Sequence, residues 1–210
     1  MSPFVITIGG NIGCGKSTVI QELQKEYGDM CAVHPEPIHE WGSWLDLFYT
    51  DPPKYAFGFQ MKILHSFLKC VQSYGLTSTQ TFITERSPVD SLEVFAKTLY
   101  EDNIMNHLEY NLYKEYVDSI AWTPSVYVYL QTDPEVCVER IKRRARGCES
   151  GIDEKYVHKL HTYYDTLPQK SHPFHLHVVD ANQSKDTVLE HVRRIIDETL
   201  QSPVRTEDKV

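Results

Sequence analysis

The segment Gly10-Asn11-Ile12-Gly13-Cys14-Gly15-Lys16-Ser17 satisfies the spacing GxxxxGKS in full. What flanks it constrains the fold. Residues 4–8 are a short apolar run that reads as a strand, and a helical pattern begins near Lys16. Small residues let a backbone wrap a polyphosphate. Successive N–H groups and the helix N-terminus then face the negative charge. In such a loop the lysine reaches the β- and γ-phosphates and the serine hydroxyl serves Mg2+. Gly10, Asn11, Ile12, Gly13, Cys14, Gly15, Lys16, Ser17 and Thr18 are therefore the expected nucleotide-binding residues. Cys14 reads as a small residue whose backbone does the binding, in preference to a reactive thiol beside a helix N-terminus.

The rest of the chain alternates in the same manner. Strands are expected at 30–34, 81–84, 125–131 and 175–179. Helices are expected at 41–47, 53–74, 90–99, 104–120, 135–146, 154–167 and 187–200. Such alternation implies an α/β fold, a parallel sheet covered by helices on both sides, with ligands beyond the carboxyl ends of the strands. At 210 residues and 41% hydrophobic content, the chain suits one domain over 1–200 with a polar tail at 201–210. A formal charge of -8 argues against a general nucleic-acid binder. Five cysteines, none in a CxxC pair, argue against a zinc knuckle. No stretch is long and apolar enough to span a membrane. With the first strand so close to Met1, a cytoplasmic protein is expected.

The loop alone does not separate a kinase from an ATPase or a GTPase. The GTPase-type Asn-Lys-x-Asp base reader is missing from the sequence, and so is an obvious apolar strand ending in a Walker B aspartate. The third strand ends instead in Thr84-Glu85-Arg86-Ser87. Its carboxylate can serve Mg2+ directly or through water, and its arginine can neutralise phosphate oxygens. Glu36 stands after the second strand. A basic run holds Arg140, Lys142, Arg143, Arg144 and Arg146, with Arg140 and Arg144 on one helical face.

These blocks, in this order, resemble the deoxynucleoside kinase family. The likeness rests on the glycine-rich loop, Glu36-Pro37-Ile38 with Trp41, Glu85-Arg86-Ser87 and the run from Arg140 to Glu149. It implies a P-loop kinase fold, a five-stranded parallel sheet with flanking helices and an arginine-rich lid, usually in a homodimer. It implies ATP as donor and a small deoxynucleoside as acceptor. By resemblance Glu36 is the catalytic carboxylate, Arg86 its partner, and Glu85 with Ser17 the Mg2+ residues. Arg140, Arg144 and Arg146 are the lid arginines, while Lys142 and Arg143 face solvent. Asp180-Ala181-Asn182 resembles the segment touching the donor's base.

The resemblance also furnishes an acceptor pocket. Tyr49 and Glu149 match the pair that binds the sugar 3′-hydroxyl, Gln60 the base-reading glutamine, and Phe95 the aromatic that stacks on the base. Ile12, Trp41, Leu45, Phe59 and Ile63 form its walls. Deoxycytidine kinases carry an arginine where Phe67 aligns and an aspartate where Ser91 aligns, and this chain lacks both charges. A pyrimidine acceptor is expected, thymidine favoured, with deoxycytidine a second candidate. A nucleoside-monophosphate kinase would need arginines in the acceptor site, and residues 36–67 contain none. A non-enzymatic nucleotide switch would leave the acceptor pattern without purpose.

Overall fold

The computed structural model describes residues 4–72, 81–119, 122–144 and 152–201. Five strands, β1 (Phe4–Gly9), β2 (Cys31–His34), β3 (Thr81–Glu85), β4 (Val126–Gln131) and β5 (His175–Asp180), form one sheet in the order β2-β3-β1-β4-β5. Every neighbouring pair is parallel. All strands therefore point one way, and all their carboxyl ends open on the same edge.

Alternation along each strand divides the core. Ile6, Ile8, Ile83, Val126, Val128 and Leu130 lie on one face, with Val19, Ile20 and Leu23 of α1 (Lys16–Tyr27) and Val192, Ile195 and Ile196 of α8 (Lys185–Gln201). Val5 and Phe82 turn to the other face, where they join aromatics of α2 (Ile38–Thr50) and α3 (Pro52–Gln72). Tyr127 and Tyr129, two residues apart on β4, pack on that side against Leu160 and Tyr164 of α7 (Glu154–Tyr164). The inner strands are buried on both faces and are mostly apolar, with the buried hydroxyls of Thr7 and Thr84 hydrogen-bonded to each other at 2.9 Å between β1 and β3.

The helix after β3, α4, runs Pro88–Asp90, passes through a π-helical stretch Ser91–Ala96 and ends as Lys97–Glu101. It starts two residues before the expected position because Pro88 suits a first helical turn. The helix expected from 104 starts later, as α5 (His107–Ser119). The N–H groups of Ile104 and Met105 turn back to the Leu99 carbonyl, and Asn103 is left-handed at φ 57°. Asn106 and Glu109 then cap α5 reciprocally at 2.9 and 3.0 Å. The helix expected over 154–167 stops at Tyr164; Pro168 lies within a 3-10 turn, Leu167–Gln169. The helix carrying the basic run, α6, is Pro134–Arg144. Arg146, Glu149 and the tail beyond 201 lie outside the described residues. Among the described residues no helix is long and apolar enough to cross a membrane.

Candidate active site

The loop between β1 and α1 holds three glycines at positive φ: Gly10 at 141°, Gly13 at 82° and Gly15 at 109°. Gly13 has a second reason to lack a side chain. A Cβ there would stand 2.5 Å from the Cys137 carbonyl oxygen on α6. Around Gly15 nothing lies within 4 Å, so its requirement is conformational alone. Asn11 braces the turn, donating to the Val157 carbonyl at 2.9 Å and accepting from the Ile12 N–H at 2.8 Å. The Lys16 ammonium folds over the loop and donates to the Asn11 carbonyl at 2.7 Å. Cys14 is buried in the core, in keeping with a backbone role.

Three charged side chains converge beside this loop from two strand ends. Arg86 Nη1 donates to both Glu36 oxygens, at 2.6 and 2.7 Å. Its Nη2 donates to the Gly10 carbonyl at 3.3 Å, and its guanidinium lies 4.9 Å from the centre of the Phe95 ring. Arg86 sits at φ 60°, in the left-handed region, a backbone cost of about 1–2 kcal/mol for a non-glycine residue. Its own N–H holds it there by donating to the Ile8 carbonyl at 3.0 Å. Burial opposes its charge, but Glu36 and neighbouring groups outweigh it and keep the guanidinium ionised.

Glu85 accepts from the Ser17 hydroxyl at 2.7 Å and from the Glu36 N–H at 3.3 Å. Burial, with the Glu36 charge beside it, holds its carboxyl above the usual carboxylate range. The oxygens of Ser17 and Glu85 form a hard-donor pair at the loop's end, a set that fits a small divalent cation.

Two cavities flank the loop. The inner one is bounded by Ile12, Lys16, Ser17, Glu36, Glu85 and Arg86 at its mouth, and by Trp41, Leu45, Tyr49, Phe59, Gln60, Ile63, Phe67, Ser91 and Phe95 deeper in. Every expected pocket residue among the described residues lies here. The deep end carries no charged side chain among the described lining residues. Gln60 accepts there from the Ser91 hydroxyl at 3.2 Å. The outer cavity is lined by Gly13 to Val19 along the loop and α1, by Arg140, Arg143 and Arg144 of α6, and by Ala181, Gln183, Lys185 and Val188. Arg144 borders both cavities.

Arg140 points to the back of the loop. It donates to the Cys14 carbonyl and the Ala181 carbonyl, each at 3.1 Å. Arg143, expected to face only solvent, is exposed but also borders the outer cavity. The Asp180 side chain engages the Asn182 N–H and Gln183 and does not line that cavity, whereas Ala181 does. The sequence reading missed Ile38, Phe48, Ile152 and Tyr156 as inner-cavity residues. It also missed Asp90 and Tyr164, which lie behind Arg86. In sequence Tyr164 reads as a packing residue at helix spacing, and Asp90 as the acidic member of a Ser87-x-x-Asp90 cap, which gives no sign of its tyrosine partners.

A family model described as deoxynucleoside kinase matches residues 6–204. The chain belongs to the deoxynucleoside kinase family, and it phosphorylates deoxynucleosides. Among its relatives, the kinase-named protein 029R of Invertebrate iridescent virus 3 is 35% identical over 193 residues, covering 92% of this chain and 96% of that one. The thymidine kinase of Ictalurid herpesvirus 1 is 30% identical over 201 residues, covering 91% and 85%. In structure, the deoxyadenosine kinase of M. mycoides, solved with dCMP and dCDP bound, superposes with a TM-score of 0.79 at 26% identity. The match covers 93% of this chain and all of that one.

Proposed function

We propose that this kinase transfers the γ-phosphoryl group of ATP to the 5′-hydroxyl of a pyrimidine deoxynucleoside, thymidine ahead of deoxycytidine. The uncharged deep end of the inner cavity carries the reading. A nucleobase is neutral, and one amide, Gln60, offers it both a donor and an acceptor. An acceptor already bearing a 5′-phosphate would set that anion at the mouth, against the Glu36 carboxylate that already engages Arg86. Ser91 is small and uncharged, leaving room for a 5-methyl group.

The outer cavity takes the donor in this reading. Gly10–Ser17 acts as a P-loop, with Lys16 and the loop N–H groups on the phosphates. Ser17 and Glu85 would hold Mg2+, which when bound would supply charge neutralisation on the donor phosphates. Glu36, beside the loop, accepts the proton of the 5′-hydroxyl. The new bond forms between O5′ and the γ-phosphorus while the bond to the β,γ-bridging oxygen breaks, and the electron pair leaves with ADP. Arg86 and Arg144 stabilise the charge on the phosphoryl oxygens in transit. Arg140 steadies the loop from behind through the Cys14 carbonyl. Arg144, bordering both cavities, is the natural lid residue.

The working unit in this reading is a homodimer. Leu108, Leu112 and Tyr116 recur every four residues along α5 and are 79%, 43% and 48% exposed. A stripe of this kind is suited to a second copy of the helix. Sedimentation of Leu108→Asp beside the unmodified protein tests this; a monomer in both cases overturns it.

The deciding experiment is the initial rate with Mg-ATP and each of thymidine, deoxycytidine, deoxyadenosine, deoxyguanosine and dTMP, with the product identified. Thymidine should react fastest and dTMP not at all. Turnover of dTMP alone would mean the acceptor cavity has been misread.

A further inference from the structure

Behind Arg86, away from the substrate cavities, Asp90 is fully buried on α4. Its carboxylate receives four hydrogen bonds. Oδ2 accepts from the Ser87 N–H at 2.9 Å and the Ser87 hydroxyl at 3.0 Å. Oδ1 accepts from the Tyr127 hydroxyl at 2.6 Å and the Tyr164 hydroxyl at 2.9 Å. These fill the acceptor positions of an ionised carboxylate, and a protonated Asp90 would have to give one up. A buried charge so fully supplied with donors is expensive to assemble from three distant parts of the chain. Capping α4 uses only the Ser87 bonds. The two tyrosines need another explanation.

Tyr164 provides it. While its O–H donates to Asp90, its oxygen accepts from Arg86 Nε at 3.3 Å. Burial and the Asp90 charge hold the hydroxyls of Tyr127 and Tyr164 protonated, so both remain donors. The guanidinium is thus held on three sides: by Glu36 at Nη1, by the Gly10 carbonyl at Nη2 and by Tyr164 at Nε. Phe95 covers its face. Room is made for this arrangement in β1, where a Cβ on Gly9 would fall 1.8 Å from the Tyr127 hydroxyl oxygen.

We propose that Asp90 and Tyr164 form a positioning relay for Arg86: Asp90 fixes the Tyr164 hydroxyl with its lone pair toward Nε, and so fixes the edge that Arg86 turns to Glu36 and the transferring phosphoryl group. Neither residue touches substrate. The proposal rests on the role given to Arg86 under the proposed function and adds the device that aims it.

Tyr127 supplies an internal control. Tyr164→Phe and Tyr127→Phe each delete one O–H bond to the same Asp90 oxygen and keep the ring. Only the first also deletes the partner of Arg86. Tyr164→Phe should lower kcat about tenfold, as expected for a reacting group displaced by a fraction of an ångström, with KM for the nucleoside within about twofold. Tyr127→Phe should keep kcat within about twofold while lowering the unfolding midpoint by a similar amount. Equal losses of kcat in the two variants, or none in either, would overturn the relay. Asp90→Asn, which removes the charge and keeps the shape, gives the same reading should Tyr164→Phe not fold; its kcat should fall with KM unchanged, and full activity overturns the relay. Arg86→Lys is measured alongside. If that variant turns over at the full rate, the role given to Arg86 fails. If it is slow while the two tyrosine variants behave alike, only the relay fails.

Discussion

The two sides of the glycine-rich loop solve different recognition problems with different materials. On the outer side the chain presents backbone first, with three positive-φ glycines, a turn braced by Asn11 and a helix N-terminus, and basic side chains of α6 beside them. On the inner side it presents side chains, from the Glu36–Arg86 pair at the mouth to Gln60 among aromatics. A polyphosphate is the same in every nucleotide and can be held by peptide groups. A nucleobase must be told from other bases, and in the inner cavity Gln60 and the side chains around it stand where that can be done. Changes on the outer side should therefore affect all acceptors alike. Changes on the inner side should separate one acceptor from another, or remove the chemistry itself.

The largest effect is expected at the mouth of the inner cavity. Glu36→Gln keeps the shape and one oxygen for Arg86 but cannot accept a proton. Its kcat should fall by about 10²–10⁴, the range for losing a general base, with nucleoside KM within about threefold. Steady-state kinetics on the best acceptor decides it. Equal loss in kcat and apparent nucleoside affinity would make Glu36 a binding residue and blur the contrast between the two sides.

Next in size is Gly13→Ala, in the loop that borders both cavities. The new Cβ meets backbone, the Cys137 carbonyl at 2.5 Å, and φ 82° disfavours any side chain. One side or the other must move, so the KM for ATP should rise at least about tenfold and stability fall by about 1–3 kcal/mol. The ratio of rates with thymidine and deoxycytidine should not move. A changed ratio would break the comparison, since a shift of the loop backbone would then reach the base at the far end of the inner cavity. Gly15→Ala, with open space around its Cβ position and only the conformational strain, should do less on both counts.

That division also explains what was legible. The loop is contiguous, its spacing follows from backbone geometry, and the sequence alone yielded both it and the parallel sheet above it. The inner cavity draws on residues scattered from Ile12 to Tyr156, and its expected members came from the likeness of separated blocks to a family. Asp90 carries only the spacing of a helix cap with Ser87, and its two tyrosine donors were not legible at all. Tyr127 and Tyr164 stand 37 and 74 residues from Asp90 in the chain, and in sequence each reads as an apolar ring at strand or helix spacing. The π-helical turn at Ser91–Ala96 was not legible either: Leu92 and Ala96 pack into one cluster and Val94 into another, so the stretch shows no single apolar face. Arg140 was read correctly as sharing a helical face with Arg144, yet the carbonyls it engages belong to Cys14 and Ala181, which no spacing rule connects.

The smallest effect sits on the boundary between the sides, at Glu85, and shows up in stability. Burial and the Glu36 charge raise its carboxyl above the ordinary glutamate value in the folded chain. Between the unfolded value and the higher folded one, the folded state binds the extra proton. Stability from this group is therefore greatest at low pH and declines as pH rises through the window. Glu85→Gln cannot ionise and should escape that decline. In urea titrations without Mg2+, the variant should gain steadily on the wild type as pH rises above the ordinary glutamate range. The loss of one acceptor for Ser17 sets a pH-independent offset and leaves the slope unchanged. A flat difference across that range would mean Glu85 is ionised as easily as in water, and that the seam between the two sides is wetter than its burial implies. A rising difference accompanied by lost turnover would mark Glu85 as a charge kept for donor binding at the expense of stability.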